Sequence, residues 1–224
     1  MESNSLKKKI DEDKDNYEKL LESNRMWAEE NIIKEPLFFS KLRITQQPKY
    51  LWIGCSDSRV PAEDIIQVNP GELFVHRNLS NVFVATDLNA VSVLEYAVDV
   101  LKVNHIIVCG HYDCKGVEQA LSHESHGMID RWLKNIKDVY VENYKELCQY
   151  SNEKEKLLRL VEMNVIHTAK NLLTANVVQK NWKNRNAPYI HAWIYDTFTG
   201  LVNNVLKIKP NDDKVLNHIY YFKF

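Results

Sequence analysis

The chain has little of several features that would assign it to a special class. Its 224 residues include four cysteines, too few for a disulfide framework in a protein of this length. Lysine and arginine number 29 and aspartate and glutamate 30, so the basic excess of a typical nucleic-acid-binding domain is absent. No apolar run approaches the length of a membrane span. We therefore expect a protein that binds neither nucleic acid nor membrane.

The N-terminal sequence also lacks the apolar segment of a secretion signal. Its first stretch, MESNSLKKKIDEDKDNYEKL, is dense in charges of both signs instead. We therefore expect a cytoplasmic protein, and a reducing compartment also suits cysteines that stay free. The length allows one sizeable domain but not two comfortable ones. The hydrophobic fraction of 45% is ordinary for a soluble globular protein.

The N-terminal region predicts helices. Residues 4–33 contain few helix breakers, and their apolar positions recur at roughly helical spacing. The polar remainder predicts one or two amphipathic helices that lie on a surface. Two placements stay open, because the helices can pack on their own domain or form an arm that embraces a partner subunit. A further short helix is predicted for residues 38–42, before a loop at 45–48.

The first segment whose side chains could bind a metal or take part in catalysis follows this loop. Residues 50–53 form an apolar run, and Gly54 separates that run from Cys55, Asp57 and Arg59. The run predicts a short buried strand whose carboxyl end opens into a loop. In an extended chain alternate side chains point the same way, so the thiol, the carboxylate and the guanidinium share one face. The plain alternative is a buried cysteine beside a surface ion pair.

A second segment has the same plan. Residues 105–109 form another apolar run, and Gly110 precedes His111, with Cys114 three positions later. Together with Cys55, these residues offer two thiolates and one imidazole, a set that zinc accepts in tetrahedral geometry. Three protein ligands leave the fourth position for water, which is typical of catalytic zinc sites. The two segments meet if their strands are parallel neighbours, because ligands gather outside the carboxyl ends of strands in open α/β sheets.

The remaining pattern predicts an α/β fold. Helices are predicted at 61–66, 87–101, 114–121, 129–147 and 153–182, and further strands at 73–76, 188–195 and 201–208. The strand–helix–strand order predicts a parallel pair joined by a right-handed crossover. We expect a central, mostly parallel sheet of four strands with an added edge strand, flanked by helices, together with the N-terminal helical arm.

Four segments resemble those of β-class carbonic anhydrases: GCSDSRVPAE, PGELFVHRN, EYAVDVLKV and CGHYDC. The resemblance runs from about Gln46 to Tyr195, with the segments in the family's order. It implies a single carbonic anhydrase domain over residues 1–224, in which residues 1–35 form a dimerisation arm. It also implies one Zn²⁺ per chain, reversible hydration of carbon dioxide by zinc-bound hydroxide, and a homodimer or a tetramer of two such dimers.

The resemblance assigns roles at the metal. Cys55, His111 and Cys114 are implied to be the zinc ligands. Asp57 is implied to accept a hydrogen bond from the zinc-bound water, and Arg59 to hold that carboxylate in place. In a closed form of the family, the carboxylate at the position of Asp57 becomes the fourth zinc ligand. Because two thiolates weaken the acidification of the bound water, we expect a working pH on the alkaline side.

The resemblance also implies a substrate pocket, formed by Gln46, Phe74, Leu79 and Tyr96. Gln46 lies nine residues before Cys55, and its amide can orient an oxygen of the substrate. The sequence pattern alone would identify the two aromatic residues as ordinary core residues. The pocket is therefore expected from the family likeness and not from the residues themselves.

Three other residues match a regulatory site of the family's bacterial subgroup. Trp52, Arg77 and Tyr195 occupy positions that bind a bicarbonate away from the zinc, and this binding favours the closed form. Arg77 suits a planar anion. The alternative is that the tryptophan and the tyrosine are core residues and Arg77 is a structural ion-pair partner.

The chain departs from the family at Lys115, which follows Cys114 where glycine is usual. Lys115 could weaken the donor strength of the neighbouring thiolate, or it could point to solvent and pair with Asp113. Of the other cysteines, Cys109 is expected to be a small buried apolar residue. The polar loop 123–127 contains two histidines and is interpreted as solvated, with adventitious metal binding as the alternative.

Two alternative functions stay open. The first is hydrolysis of carbon disulfide or carbonyl sulfide, which the same fold and metal site support. The second belongs to another class, a zinc-binding assembly protein without turnover, and Asp57 and Arg59 argue against it because a structural site needs neither. A cysteine phosphatase requires an arginine six residues after the cysteine, and position 61 is a proline.

Overall fold

The computed structural model describes residues 2–44, 46–212 and 218–223. The chain divides into two compact units, Met1–Gln46 and Gln47–Phe224. Part of the predicted loop at 45–48 and part of the C-terminal tail lie outside the described residues. In the part of the chain that is described, no helix combines the length and the apolar character needed to cross a membrane.

The N-terminal unit contains two helices, α1 (Glu2–Lys34) and α2 (Phe38–Ile44). The predicted amphipathic segment is one long helix. Within this unit Trp27 packs edge-on against Phe38 and Phe39, with ring centroids 6.1 and 5.7 Å away. From residue 17 onward, where the side chains of α1 are described, other large apolar side chains are exposed, and Ile33 is exposed over 81% of its surface. An exposed apolar helix surface of this kind is typical of a region that another chain covers.

The C-terminal unit is built on a five-stranded sheet. The first four strands are parallel, and the last pairs antiparallel at the edge. In chain order the strands are β1 (Tyr50–Cys55), β2 (Leu73–Asn78), β3 (His105–His111), β4 (Tyr189–Tyr195) and β5 (Val202–Ile208). Their order across the sheet is β2-β1-β3-β4-β5. The prediction of a mostly parallel sheet with an added edge strand is confirmed.

The apolar runs occupy the centre of this sheet. β1 and β3 are neighbours, with Tyr50 opposite His105 and Gly54 opposite Cys109. After the first residue, every residue of both strands is buried. Strands covered on both faces carry continuous apolar runs, because neither face meets water. The two segments with metal-ligand residues therefore end side by side at the carboxyl edge of the sheet.

Helices connect and cover these strands. In the described part of the C-terminal unit they are α3 (Ala62–Ile66), α4 (Leu88–Glu95), α5 (Lys115–Leu121), α6 (Ile129–Glu142), α7 (Tyr144–Leu147), α8 (Glu153–Leu173) and α9 (Asn176–Arg185). Three shorter turns complete the pattern: 3-10 turns at Leu79–Asn81 and His218–Tyr220, and a π turn at Tyr96–Val100. The main core lies between the sheet and α4, α5, α6, α8 and α9.

The prediction of single helices over 129–147 and 153–182 is wrong. The chain leaves helical geometry at Asn143, with φ −107° and ψ 17°, and at Ala175, with φ −76° and ψ 127°. Just before the second break, Thr174 Oγ1 donates a hydrogen bond to Asn171 O at 2.7 Å, a local bond of the kind that competes with a continuing helix. Buried apolar residues continue on both sides of this break, so the helical periodicity hides it.

The two faces of the sheet are covered unequally. One face packs into the main core, to which Leu51 and Ile53 contribute. The other carries a smaller cluster formed by Trp52, Ile107 and Cys109, together with one residue of α3. Cys109 is fully buried there as a free thiol, which agrees with the prediction that it is a small core residue. Half-buried aromatic residues of β4 flank this smaller cluster.

Candidate metal centre

Three ligand-type side chains meet at the carboxyl edge of the sheet. Cys55 is the last residue of β1, His111 is the last residue of β3, and Cys114 immediately precedes α5. Their donor atoms all lie within 4.8 Å of one another, and the two sulfurs are 3.9 Å apart. All three residues are buried. Two thiols and one imidazole at this separation suit a tetrahedral zinc ion with a position left for water.

The imidazole of His111 is fixed in a form that can bind a metal. Its Nδ1–H donates to the backbone oxygen of Tyr112 at 2.9 Å, so the lone pair is on Nε2. Nε2 is buried and has no hydrogen-bond partner among the described residues. A buried nitrogen without a partner is costly unless something else binds it. A metal ion at the three-residue cluster would provide that partner.

The two thiols also favour a cation. The hydrogen bond from Cys55 holds the pKa of Cys114 below its usual range, and His111 contributes in the same direction. The same contact, together with burial, raises the pKa of Cys55 above its usual range. Two buried sulfurs this close do not both ionise unless a positive charge lies between them. A divalent metal would supply that charge, with both thiolates as its ligands.

A carboxylate stands beside the cluster and is held firmly. Arg59 donates from Nε to Asp57 Oδ1 at 3.0 Å and from Nη2 to Oδ2 at 2.7 Å, and its backbone N–H donates to Oδ1 at 2.9 Å. Arg59 thereby holds the pKa of the Asp57 carboxyl well below its usual range. Asp57 Oδ2 lies 3.7 Å from His111 Nε2. The site thus has a permanently charged acceptor next to the three ligand atoms.

Arginine side chains also fasten the loops that carry the ligands. Arg59 Nη2 reaches the backbone oxygen of Asp113 at 3.2 Å, which links the loop after β1 to the loop before α5. Arg77, near the end of β2, donates from Nε to Cys55 O at 2.7 Å and from Nη2 to Asp57 O at 2.5 Å. The guanidinium of Arg77 therefore rests on two backbone carbonyls of the ligand loop.

The residues predicted for a regulatory anion lie toward one face of the sheet. Trp52 is fully buried, and its Nε1 has no hydrogen-bond partner among the described residues. Its ring lies against Gly54, where a Cβ would come within 2.2 Å of Nε1, so the ring can lie there only beside a glycine. Tyr195 is half-buried and packs against the same small cluster. Arg77 pairs in register with Gly54, two residues beyond Trp52 in β1.

Three of the four predicted pocket residues lie in the unit that holds the metal cluster. The rings of Phe74 and Tyr96 are 5.8 Å apart between centroids. Tyr96 is 45% exposed and Leu79 36%, so neither is an ordinary core residue. Gln46 is an exposed residue at the end of the N-terminal unit.

Lys115 points away from the ligands. Its Nζ donates to Glu118 Oε2 at 2.7 Å, and its side chain is 72% exposed. Of the two roles predicted for it, the structure agrees with the solvent-facing one, but the partner is Glu118 and not Asp113. The left-handed backbone conformation, which glycine adopts most easily, is found at Asp113 and not at Lys115. The φ angle of Asp113 is +57°.

Sequence reasoning missed the groups that support the ligands. Ser80 contacts both sulfurs, through its backbone N–H to Cys55 Sγ at 3.4 Å and through Oγ to Cys114 Sγ at 3.6 Å. The backbone oxygens of Tyr112 and Asp113 hold His111 and Arg59. Backbone groups carry no side-chain signature. The signal that could have found Ser80 is its position at the carboxyl end of a strand neighbouring β1.

Comparisons with known proteins agree on one family. The family model described as "Carbonic anhydrase" matches residues 50–202. A "Carbonic anhydrase" of Emericella nidulans is 44% identical over 189 residues, which cover 84% of this chain and 83% of that protein.

Solved structures agree with the sequence comparisons. One of two tetrameric β-carbonic anhydrases from Sordaria macrospora superposes with a TM-score of 0.83 at 37% identity, covering 86% of this chain and 98% of that one. A Coccomyxa β-carbonic anhydrase in complex with acetazolamide superposes with a TM-score of 0.82, also at 37% identity, covering 87% and 88%. The segment matched by the family model contains all three ligand-type residues.

Proposed function

The chain belongs to the β-carbonic anhydrase family and catalyses the reversible hydration of carbon dioxide, and we propose that it does so with one zinc ion per chain held by Cys55, His111 and Cys114. One observation carries the proposal. Two thiols and an imidazole nitrogen, which has no hydrogen-bond partner among the residues that the structure describes, lie within 4.8 Å of one another at the carboxyl ends of parallel strands. Zinc bound there supplies a Lewis acid that makes water a nucleophile near neutral pH.

The chain's own residues orient the reaction. Asp57 is charged throughout the working range, because Arg59 holds its pKa far below neutrality. Its two oxygens are fixed by the guanidinium, and Oδ2 faces the imidazole at 3.7 Å. A carboxylate without a proton can only accept hydrogen bonds. Asp57 Oδ2 would therefore accept a hydrogen bond from the attacking water and orient a lone pair of that water toward carbon dioxide.

We propose that carbon dioxide binds beside Phe74, Leu79 and Tyr96. The paired rings of Phe74 and Tyr96 offer an apolar surface that is open to solvent on one side. A small apolar substrate needs such a surface and one polar group to orient it. The family likeness alone assigns this role to Gln46, whose side-chain amide is able to orient an oxygen.

The test is stopped-flow hydration of carbon dioxide between about pH 6.5 and 9, with zinc measured on the same sample. We expect one zinc per chain and a rate that rises with pH. The rise cannot come from Asp57, because its pKa is lowered and its charge is constant over this range. Full zinc content without hydration at any pH would overturn the proposal, and carbon disulfide and carbonyl sulfide would then be the substrates to test.

We further propose a regulatory bicarbonate at Trp52, Arg77 and Tyr195. The buried Nε1–H of Trp52 has no partner in the described part of the chain, and an anion would satisfy it. Arg77 holds the carbonyls of Cys55 and Asp57, so an anion that competes for its guanidinium loosens the loop that carries Asp57. With that loop released, the Asp57 carboxylate can leave Arg59 and become the fourth metal ligand.

Trp52→Phe is expected to weaken bicarbonate inhibition about 10- to 100-fold, since a hydrogen bond to a charged group contributes roughly 1.5–3 kcal/mol. The measurement is hydration rate against bicarbonate concentration at constant pH and ionic strength. Trp193→Phe is the matched control, because Trp193 packs edge-on against Trp52 with ring centroids 6.4 Å apart. Equal inhibition of both variants and the unaltered protein would contradict the regulatory site.

We propose that the protein assembles as a dimer or a tetramer, with residues 1–35 as the arm. The exposed apolar side chains of α1 support this, as does the tetrameric state of the Sordaria macrospora relative. Deletion of residues 1–35 is expected to halve the mass or reduce it further, as measured by light scattering. Ile33→Glu tests the same surface with the whole chain, and an unchanged mass for both variants would exclude the arm.

A cytoplasmic location is also proposed. Two thiol ligands at the centre of the site need a compartment that keeps cysteines reduced. Fractionation of cells that produce the protein, followed by detection with an antibody, tests this. Recovery in an oxidising compartment would contradict it.

A further inference from the structure

Ser80 is a buried residue in an unusual backbone conformation next to both sulfurs. It lies in the 3-10 turn that follows β2, is fully buried, and has φ 64° and ψ 28°. A non-glycine residue in this left-handed region costs on the order of 1 kcal/mol. Such a cost persists only where surrounding structure maintains it. The conformation directs the backbone N–H toward Cys55 Sγ at 3.4 Å, while Oγ lies 3.6 Å from Cys114 Sγ.

Two other parts of the chain maintain this arrangement. Asn164, a buried polar residue of α8, donates from Nδ2 to Ser80 O at 2.9 Å. Gly116 in α5 leaves room for the hydroxyl, because a Cβ there would come within 2.1 Å of Ser80 Oγ. Gly116 lies within a helix, where any residue can adopt the backbone angles. Space, and not backbone conformation, is therefore the reason for a glycine at this position.

We propose that Ser80 is a positioning residue that sets the donor strength of both thiolates toward the metal. A thiolate has no proton, so the hydroxyl donates to Cys114 while the backbone N–H donates to Cys55. Each hydrogen bond withdraws electron density from a sulfur and lowers the cost of holding two negative sulfurs 3.9 Å apart. Groups that hydrogen-bond to metal ligands alter affinity by about 10–100-fold in other proteins. The inference rests on the proposed metal site and extends it to a residue that does not touch the metal.

The test uses the protein loaded with Co²⁺, whose sulfur-to-metal charge-transfer band reports the electron density on the thiolates. Ser80→Ala and Ser80→Gly both remove the hydroxyl, and Ser80→Gly also removes the backbone strain, so it should fold at least as well. We expect both variants to shift the band to lower energy by the same amount and to bind zinc about tenfold more weakly in competition with a chelator. Ser92→Ala removes an exposed serine hydroxyl of α4 and should leave the band and the affinity unchanged.

Gly116→Ala provides an independent arm of the test. Its methyl group displaces the hydroxyl of Ser80, so the variant should reproduce the band shift of Ser80→Gly. Combining Gly116→Ala with Ser80→Gly should add nothing further, because the two changes remove the same hydrogen bond. An unshifted band in both Ser80 variants would overturn the role of Ser80. Absence of a sulfur-to-cobalt band in the unaltered protein would instead overturn the proposed metal site, so the two failures are distinguishable.

Discussion

Cys114→Ser is expected to lose its zinc. With the zinc it should lose most of its catalytic rate enhancement, which for enzymes is typically ~10⁶-fold or more. The hydroxyl of serine does not ionise near neutral pH and is a poor ligand for zinc, whereas the thiol of Cys114 has a lowered pKa. Only two ligands would remain, from the end of β1 and the end of β3. The measurement is zinc per chain by mass spectrometry, together with carbon dioxide hydration by stopped flow.

Two other cysteines provide matched controls for this variant. Cys109 is fully buried in β3, and burial raises the pKa of its thiol to about 12, so it is a neutral apolar group. Cys148 is an exposed free thiol. Cys109→Ala and Cys148→Ser should both keep one zinc per chain and the full rate. A Cys114→Ser protein with unchanged zinc, or zinc loss in either control, would refute the assignment of Cys55, His111 and Cys114 as the ligand set.

The sequence was most informative where the chain is buried on both sides. The apolar runs of β1 and β3 have the length of strands, and an interior strand of a parallel sheet carries apolar residues on both faces. The end of α8 was harder to predict from the sequence. Leu173 and Val177 are buried on either side of the break after α8, so the apolar pattern continues although the helix does not. Periodicity reports which face is buried and not whether the backbone is continuous.

At the metal site, too, some features have a sequence signature and others do not. The ligands could be predicted because thiol and imidazole side chains have few other reasons to cluster after two glycine-ended strands. The hydrogen bonds from Arg77 to Cys55 O and Asp57 O could not be predicted, because every residue has a backbone oxygen. The left-handed conformation of Ser80 has no sequence signature either, because serine is common in many turns. What remained hidden is the hydrogen-bonding support of the ligands, which depends on the tertiary fold.

Asp57→Asn is expected to lower kcat by roughly 100–1,000-fold while one zinc per chain is retained, which is the usual loss when one oriented hydrogen-bonding group is removed from an active site. Asparagine has nearly the same shape, but one of its two terminal atoms is a hydrogen-bond donor. Because its amide nitrogen cannot accept, asparagine cannot take the hydrogen bonds that Arg59 donates to both carboxylate oxygens and also orient the attacking water at Oδ2. Zinc content, far-ultraviolet circular dichroism and stopped-flow hydration, measured together, separate this loss from misfolding or metal loss.

The partner variant Arg59→Gln separates the charge of Asp57 from its orientation. Without the guanidinium, the lowered pKa of Asp57 returns toward its ordinary value of about 3.9, which is still well below neutrality. The carboxylate therefore stays charged at every pH above about 6, and the defect should be the same from pH 6.5 to 9. We expect a loss of about tenfold to 100-fold, smaller than that of Asp57→Asn, because the acceptor is present but mobile. A defect that disappears at high pH would mean that Arg59 acts on the protonation of Asp57 and not on its position.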